Sequence, residues 1–382
     1  MSPSPLNVIA FVSNNSWSVV NFRLTIIKFL QHKGFTILVI APDDAYSQLL
    51  VKEGCIYEVV SFNNRSVSPL ADLSYYRQLK QLYSRYNPAI IFHFVAKPNI
   101  YGSMAAGALG IPAVAVVTGL GYAFDRQNWL RLVVKSMYRF GLRKAAAVWF
   151  LNKEDAAVFT REKIVPANKI SVLPGEGVDT AYFKKTGVPA KEPGDFIFLM
   201  CCRLLKSKGI GVYAAAAEIL HKKSYRFQCH LIGDYEHRHP DNISAASLEQ
   251  WQKTGLIKYL GFTNDVRPFL AAADCCVLPS YYHEGVPRSL MEAASMELPL
   301  ITTNSQGCRE LLVENITGFL CKQKDVEDLA EKMEKMMALS EGERKIMGQK
   351  GRLLMEAQFD IAHVINFYQQ AIAANTAKTT AV

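Results

Sequence analysis

"GEGVDTAYFKKTGVPAKEPGD", Gly175–Asp195, is the stretch of the 382-residue chain on which the fold turns. Rich in Gly, Pro and Lys, it follows neither the helical nor the strand period and reads as a linker. On its N-terminal side, apolar runs alternate with helical patterns. Leu6–Val12, Phe35–Ile40, Ile56–Ser61, Ala89–Phe94, Pro112–Val117 and Ala146–Leu151 read as strands, and Val19–Lys33 as a helix that Gly34 ends. Beyond the linker the alternation restarts, with strands expected at Phe196–Cys202, Phe227–Ile232, Ile257–Leu260, Cys275–Pro279 and Leu300–Thr303. Continuous apolar strands separated by helices imply parallel sheets covered on both faces. The chain is therefore α/β in two halves with a hinge near residue 180, and ligands are expected beyond the carboxyl ends of the strands. The tail, Glu341–Ala374, returns to a helical period, and "INFYQQAIA" (Ile365–Ala373) has the spacing of a helix that docks back on the first half.

Composition narrows the class. Half the residues are hydrophobic, which is enough for two cores, and the formal charge of +9 favours anionic partners, whether nucleotides, phosphorylated lipids, membrane surfaces or nucleic acid, without choosing among them. Eight cysteines lack any CxxC spacing, and several sit in apolar runs ("FIFLMCCR", "DCCVLPS"), as reduced core thiols of a cytosolic protein do. The N-terminus has no basic region ahead of its short apolar run, and no stretch reaches the roughly 18–20 apolar residues of a membrane span. A soluble or peripheral protein on the cytoplasmic side is expected.

Four strand ends offer chemistry. After the first strand, "SNNSWSVVNFR" lacks the glycines of a dinucleotide site; Asn14, Asn15 and Ser16 suit sugar hydroxyls there, or a helix-capping turn. In "FHFVAKPN", His93 and Lys97 lie at another strand end, with His93 open to a core role. In "CCRLLKSKGI", Arg203 and Lys208 stand five apart in a loop leading into a helix, where two cations neutralise a diphosphate. Then "HEGVPRSLMEA", His283–Ala293, sets Glu284 and Glu292 eight residues apart around a helix start. Pro287 suits the first helical position, leaving the N–H groups of Arg288, Ser289 and Leu290 aimed at an anion. A carboxylate one turn into such a helix accepts two ribose hydroxyls, and one before it holds sugar hydroxyls. The pair would then bracket a nucleotide diphosphate sugar; otherwise the acids are solvent-facing carboxylates of an amphipathic helix.

"EGVPRSLMEAASMELPLITT" resembles the signature of the retaining nucleotide-sugar glycosyltransferases of family 4, with Glu284 and Glu292 as its EX7E pair. "SWSVVNFRLTIIKFLQHKGFTILVIAP", "HFVAKPNIYGSMAAGALGIPAVAVVTGLG", "GEGVDTAYF", "LIGDYEHRHPDNIS" and "QGCRELLVENITGFL" extend the likeness over nearly the whole chain. They are most similar to bacterial N-acetylhexosaminyltransferases acting on undecaprenyl-diphosphate-linked sugars.

The resemblance implies a GT-B fold, with two Rossmann-like domains whose parallel sheets face across a cleft. Residues 1–178 would form the acceptor side, 179–355 the nucleotide-sugar domain, and 356–382 a helix crossing back and a tail. It implies that Arg203, Lys208 and Glu284 are catalytic and that Gly285, Val286, Pro287, Arg288, Ser289, Leu290 and Glu292 bind a UDP-sugar donor. Asn14, Asn15, Ser16, His93, Lys97, Thr118 and Gly119 would line the acceptor or cleft side. No D-x-D follows a strand, so no metal is expected.

Three departures stand out: Cys202 and Glu297 occupy positions where the family often has glycine, and Thr118–Gly119 stand in a loop where many members carry a histidine. A residue at position 297 with a side chain strains the helix-ending turn if the backbone there needs positive φ.

"NWLRLVVKSMYRFGLRKAA" places Arg131, Lys135, Arg139 and Arg143 at successive spacings of four, a basic ridge suited to the inner face of the cell membrane or to a lipid diphosphate, or else a solvated outer face. Two other readings of the whole chain are a UDP-sugar 2-epimerase of the same architecture and a nucleotide-sugar-binding protein without turnover. No aromatic-basic motif in the sequence points to nucleic acid.

Overall fold

The computed structural model describes residues 7–61, 68–120, 129–185, 195–236, 239–282 and 285–376. The chain divides into two compact units, Met1–Glu176 with Ala362–Val382, and Gly177–Ile361. In the first, a parallel sheet is built from β1 (Val8–Val12), β2 (Thr36–Ala41), β3 (Ile56–Val59), β4 (Ile90–Phe94), β5 (Ala113–Val117), β6 (Ala147–Phe150) and β7 (Ile170–Val172). Their spatial order is β3-β2-β1-β4-β5-β6-β7. The second unit holds β8 (Phe196–Cys201), β9 (Phe227–Ile232), β10 (Lys258–Tyr259), β11 (Cys275–Leu278), β12 (Leu300–Thr303) and β13 (Gly318–Cys321), in the order β10-β9-β8-β11-β12-β13. The central strands β1, β4 and β5 are buried at every position, which is why they carry Val, Ile, Ala and Phe without alternation.

Two edge strands escape the sequence reading. β7 has three residues, too few for a period, and β13 opens on Gly318. That glycine is required by packing: a Cβ there would lie 2.0 Å from the Leu300 carbonyl oxygen.

The stretch read as a linker is not loose where it is described. Val178 pairs with Asp360 in a parallel bridge, and Thr180 and Phe183 are buried in the second unit. The expected tail helix is likewise divided. Glu341–Leu354 runs into a π-helical turn, Met355–Phe359, and Asp360 takes an extended conformation before the helix Ile361–Thr376. This last helix belongs to the first unit, where the Tyr368 ring lies 4.6 Å from Phe92 and 5.2 Å from Trp149.

The helix Arg288–Ser295 ends in a turn where the Leu298 N–H donates to the Ala293 carbonyl at 3.0 Å and Glu297 takes φ 56°. A side chain is disfavoured in this left-handed region, and glycine is not. Glu297→Gly is therefore expected to raise the unfolding free energy by about 1 kcal/mol, seen as a higher urea midpoint at unchanged m-value.

Candidate functional site

In each sheet the strand order reverses once, and the loops at that point diverge to leave an opening at the carboxyl edge. In the second unit the reversal falls between β8 and β11. The loops that follow these two strands carry Arg203–Lys208 and Ser280–Glu292, so residues some eighty positions apart in sequence end up beside one another. The contact is direct: Tyr281 and Tyr282 donate their N–H groups to the Ser207 carbonyl at 2.9 and 3.1 Å.

Lys206–Lys208 forms a 3-10 turn that Gly209 closes at φ 84°. A Cβ on Gly209 would lie 2.1 Å from the Pro279 carbonyl oxygen, so glycine lets the lysine turn approach the end of β11. The turn is also held from the other side, where the Asp241 carboxylate accepts from the Ser207 N–H at 3.0 Å and from the Ser207 hydroxyl. Arg203 pairs with Glu236. Arg203 and Lys208 both lie over the Tyr282 ring, at 5.8 and 5.4 Å from its centroid. Lys208 is buried, whereas the Arg203 side chain is 42 % exposed. Cys202 is not among the described residues with positive φ, so the departure from glycine there carries no backbone strain.

Pro287 precedes the Arg288–Ser295 helix as its N-cap, with extended backbone, rather than occupying the first helical position. The Leu290 N–H donates to the Pro287 carbonyl at 3.2 Å and does not point outward, correcting one expected donor. The Val286 and Leu290 side chains belong to the apolar core, so Val286 has only its backbone left for a ligand. Arg288 Nε donates to Glu292 Oε1 at 2.9 Å. Burial pushes the Glu292 carboxyl up from the ordinary carboxylate value against the pull of Arg288. Gly285 and Ser289 are half-buried beside them. Glu284 lies outside the described residues.

In the first unit the reversal falls between β1 and β4, with β5 next to β4. Asn14, Lys97, Thr118 and Gly119 follow these strands along one sheet edge and are partly exposed. Asn15 is spent on capping the Ser16–His32 helix, where its side chain accepts from the Ser18 N–H at 2.7 Å. Ser16 is completely buried and bonded to Asp44, whose carboxylate takes the Ser16 N–H at 2.8 Å, so this helix start is filled by the chain's own anion. Lys97 donates to Asp72 at 2.6 Å, and the Tyr101 hydroxyl shares that carboxylate at 2.8 Å. Two residues earlier Val95 takes φ 64°, a strained conformation for a β-branched residue, and a π-helical turn follows at Pro98–Gly102.

His93 is a core residue, which corrects its reading as a ligand contact. It is fully buried, bonded to the Tyr83 hydroxyl at 2.8 Å, and a Cβ on Gly102 would lie 2.4 Å from its ring.

Residues 183–354 match the family described as glycosyl transferases group 1, and residues 8–152 match the glycosyl transferase 4-like family. The N,N'-diacetylbacillosaminyl-diphospho-undecaprenol alpha-1,3-N-acetylgalactosaminyltransferase of Campylobacter jejuni is 31 % identical over 85 % of this chain and 88 % of its own. The UDP-Gal:alpha-D-GlcNAc-diphosphoundecaprenol alpha-1,3-galactosyltransferase of Escherichia coli is 29 % identical over 69 % of this chain and 70 % of its own. The chain is a group 1, family 4-like glycosyltransferase. Its fold is GT-B: the structure of Anabaena HepE in complex with UDP-glucose superposes with a TM-score of 0.77 at 20 % identity, covering 97 % of this chain and 99 % of that one.

The basic ridge of this glycosyltransferase lies on the helix Trp129–Gly141 and the 3-10 turn after it, and most of it faces protein. Arg131 and Lys135 both pair with Glu162, and Arg139 donates to the Glu162 and Lys163 carbonyls at 3.0 and 3.1 Å. Burial pushes the Glu162 carboxyl up, but its bonds to Lys135 and Arg131 outweigh this and hold it below the usual range. Leu132, Val133 and Phe140 of that helix are exposed, together with Arg139. No helix among the described residues is long and apolar enough to cross a membrane, and no group of three or more His, Cys, Asp or Glu among them is placed to hold a metal.

Sequence reading missed Tyr282, Asp241, Asp72 and Asp44. Each acts through a partner distant in sequence, and a single aromatic or acidic residue carries no periodic signal.

Burial lowers the His93 pKa from 6.5 to about 3, so the native protein keeps this ring neutral while the unfolded chain takes up a proton below pH 6.5. Stability contributed by the neutral ring is present above pH 6.5 and drains away as pH falls toward 3. Urea titrations of wild type and His93→Gln across this window are expected to show a steeper decline in unfolding free energy for the wild type.

Proposed function

We propose that this glycosyltransferase moves a hexose or N-acetylhexosamine from a UDP-sugar to an undecaprenyl-diphosphate-linked saccharide, with retention at the anomeric carbon, in bacterial surface polysaccharide or glycan assembly. The observation that carries the reading is the meeting of Arg203 and Lys208 over Tyr282 with the Arg288–Ser295 helix at one sheet reversal. The activities of the Campylobacter and Escherichia coli relatives support the acceptor class, and the UDP-glucose in HepE supports the donor class.

The donor diphosphate sits between Arg203, Lys208 and the backbone of residues 285–289. Arg288 turns from Glu292 toward the phosphates, and Glu292 then accepts the ribose hydroxyls. Glu284 faces the donor sugar. The bond from the anomeric carbon to the donor phosphate oxygen breaks, the acceptor hydroxyl oxygen bonds to that carbon on the same face, and the leaving phosphate takes the acceptor's proton. Negative charge grows on the departing diphosphate, so the two cations stabilise the transition state more than the bound substrate. They and the helix N-terminus supply the charge a divalent ion would supply, and the reaction proceeds without one. The acceptor approaches the first unit's edge at Asn14, Lys97, Thr118 and Gly119.

Arg203→Ala and Lys208→Ala are each expected to lower kcat by about 10²–10³-fold with a smaller rise in KM. Radiolabelled UDP-sugars screened against lipid-linked acceptors measure this, with Glu284→Ala as a second inactive control and product NMR for anomeric configuration. Turnover of no UDP-sugar with any lipid-linked acceptor defeats the proposal.

The enzyme works as a peripheral protein at the cytoplasmic face of the membrane. Leu132 and Phe140, about two-thirds exposed, support contact through the apolar face of that helix, with Arg143 beside it, rather than through Arg131 and Lys135. Flotation with anionic liposomes is expected to fail for a Leu132→Asp, Phe140→Asp double variant and to survive Arg131→Gln; the reverse pattern rejects this face.

A further inference from the structure

We infer that Arg352 is a positioning residue for the donor, acting on the Arg288–Ser295 helix from the end opposite the ligand; the inference rests on the donor site proposed above. Its guanidinium lies among three main-chain acceptors of the second unit. Nη1 donates to the Ser295 carbonyl at 2.5 Å and to the Phe183 carbonyl at 3.0 Å, and Nη2 donates to the Thr180 carbonyl at 3.0 Å. The remaining nitrogen, Nε, pairs with the half-exposed Glu356 at 2.8 Å.

Ser295 is the last residue of the donor-side helix and is completely buried, and its hydroxyl has no hydrogen-bond partner. Water does not replace a lost donor there, so the Ser295 carbonyl depends on Arg352. A cation at a helix C-terminus also opposes the negative end of the dipole whose positive end meets the phosphates. One turn earlier on the same helix as Arg352, Gly348 lets the backbone approach: a Cβ there would lie 2.0 Å from the Glu297 carbonyl oxygen. The helix Glu341–Leu354 thus grips the turn after the donor-side helix at two adjacent points.

The other two acceptors, Thr180 and Phe183, lie just after the point where the chain enters this unit. The Thr180 hydroxyl bonds the Asp360 carboxylate, the Val178 N–H donates to the Phe359 carbonyl at 2.9 Å, and the Ile361 N–H donates to the Val178 carbonyl at 2.9 Å. Both passages of the chain between the units are therefore tied together, and Arg352 joins them to the donor-side helix. All three acceptors are backbone carbonyls in different directions, which a planar fork of five N–H groups spans and a single ammonium does not.

The test compares Arg352→Lys and Arg352→Gln with Glu356→Gln, using full-length enzyme, UDP binding by calorimetry and steady-state kinetics. Arg352→Gln is expected to weaken UDP binding and raise the donor KM about tenfold or more, with the acceptor KM unchanged and kcat changed less than donor KM. Arg352→Lys keeps the charge but not the fork and is expected to fall between wild type and Gln, and it carries the test if Arg352→Gln does not fold. Glu356→Gln is expected to leave UDP affinity as it is. A folded Arg352→Lys or Arg352→Gln with wild-type UDP affinity and donor KM overturns the inference, as does an equal loss in donor and acceptor KM. If wild-type enzyme binds no UDP, the donor site itself is wrong and the inference falls with it.

Discussion

A parallel sheet with helices on both faces has no free face for chemistry. Its strands are saturated with apolar contacts and ladder hydrogen bonds, and only the loops at its two ends meet solvent. Of these, the loops at the carboxyl end diverge where the strand order reverses. Everything chemically interesting in this glycosyltransferase follows from that constraint. Arg203, Lys208, Tyr282 and Glu292 gather at the β8–β11 reversal, and Asn14, Lys97 and Thr118 along the edge beside the β1–β4 reversal. The glycines that matter serve the same geometry. Gly209 and Gly318 each let a backbone come closer to a carbonyl than a Cβ would allow.

Charge in these loops is compensated internally. Arg203 pairs with Glu236, Arg288 with Glu292, Lys97 with Asp72, and Arg131 and Lys135 with Glu162. The exposed Arg203–Glu236 pair contributes little to stability and is readily exchanged for a ligand's charge. Partners of the donor-side cations differ in burial, however: Glu236 is open to solvent, whereas Glu292 sits where burial raises its carboxyl pKa. An anion that draws Arg288 away leaves Glu292 seeking new donors, which is what ribose hydroxyls are.

The readable part of the fold came from hydrophobic runs. Eleven strands were legible because short, mostly apolar runs between helical patterns have few other uses, while β7, with only three residues, and β13, which opens on a glycine, were not. The local geometry was legible where a motif carries it, as with the proline ahead of the Arg288–Ser295 helix and Glu292 within it. It was not legible where the partner is remote: Asp44 filling the start of the Ser16–His32 helix, Asp72 holding Lys97, Glu162 turning the basic ridge inward.

Sequence alone determined two α/β halves, the parallel sense of their sheets, and the loop from which the Arg288–Ser295 helix begins, because period, composition and N-terminal helix chemistry are local properties of a chain. Tertiary structure decided that His93 is core, that Ser16 is unavailable to a ligand, that the supposed linker is packed through Val178, Thr180 and Phe183, and that one arginine near the end of the second unit holds the donor-side helix by its far end. These are matters of which side chain reaches which hydroxyl, carbonyl or carboxylate across separations of 10 to 180 residues, and such contacts exist only once the sheets have closed around their cores.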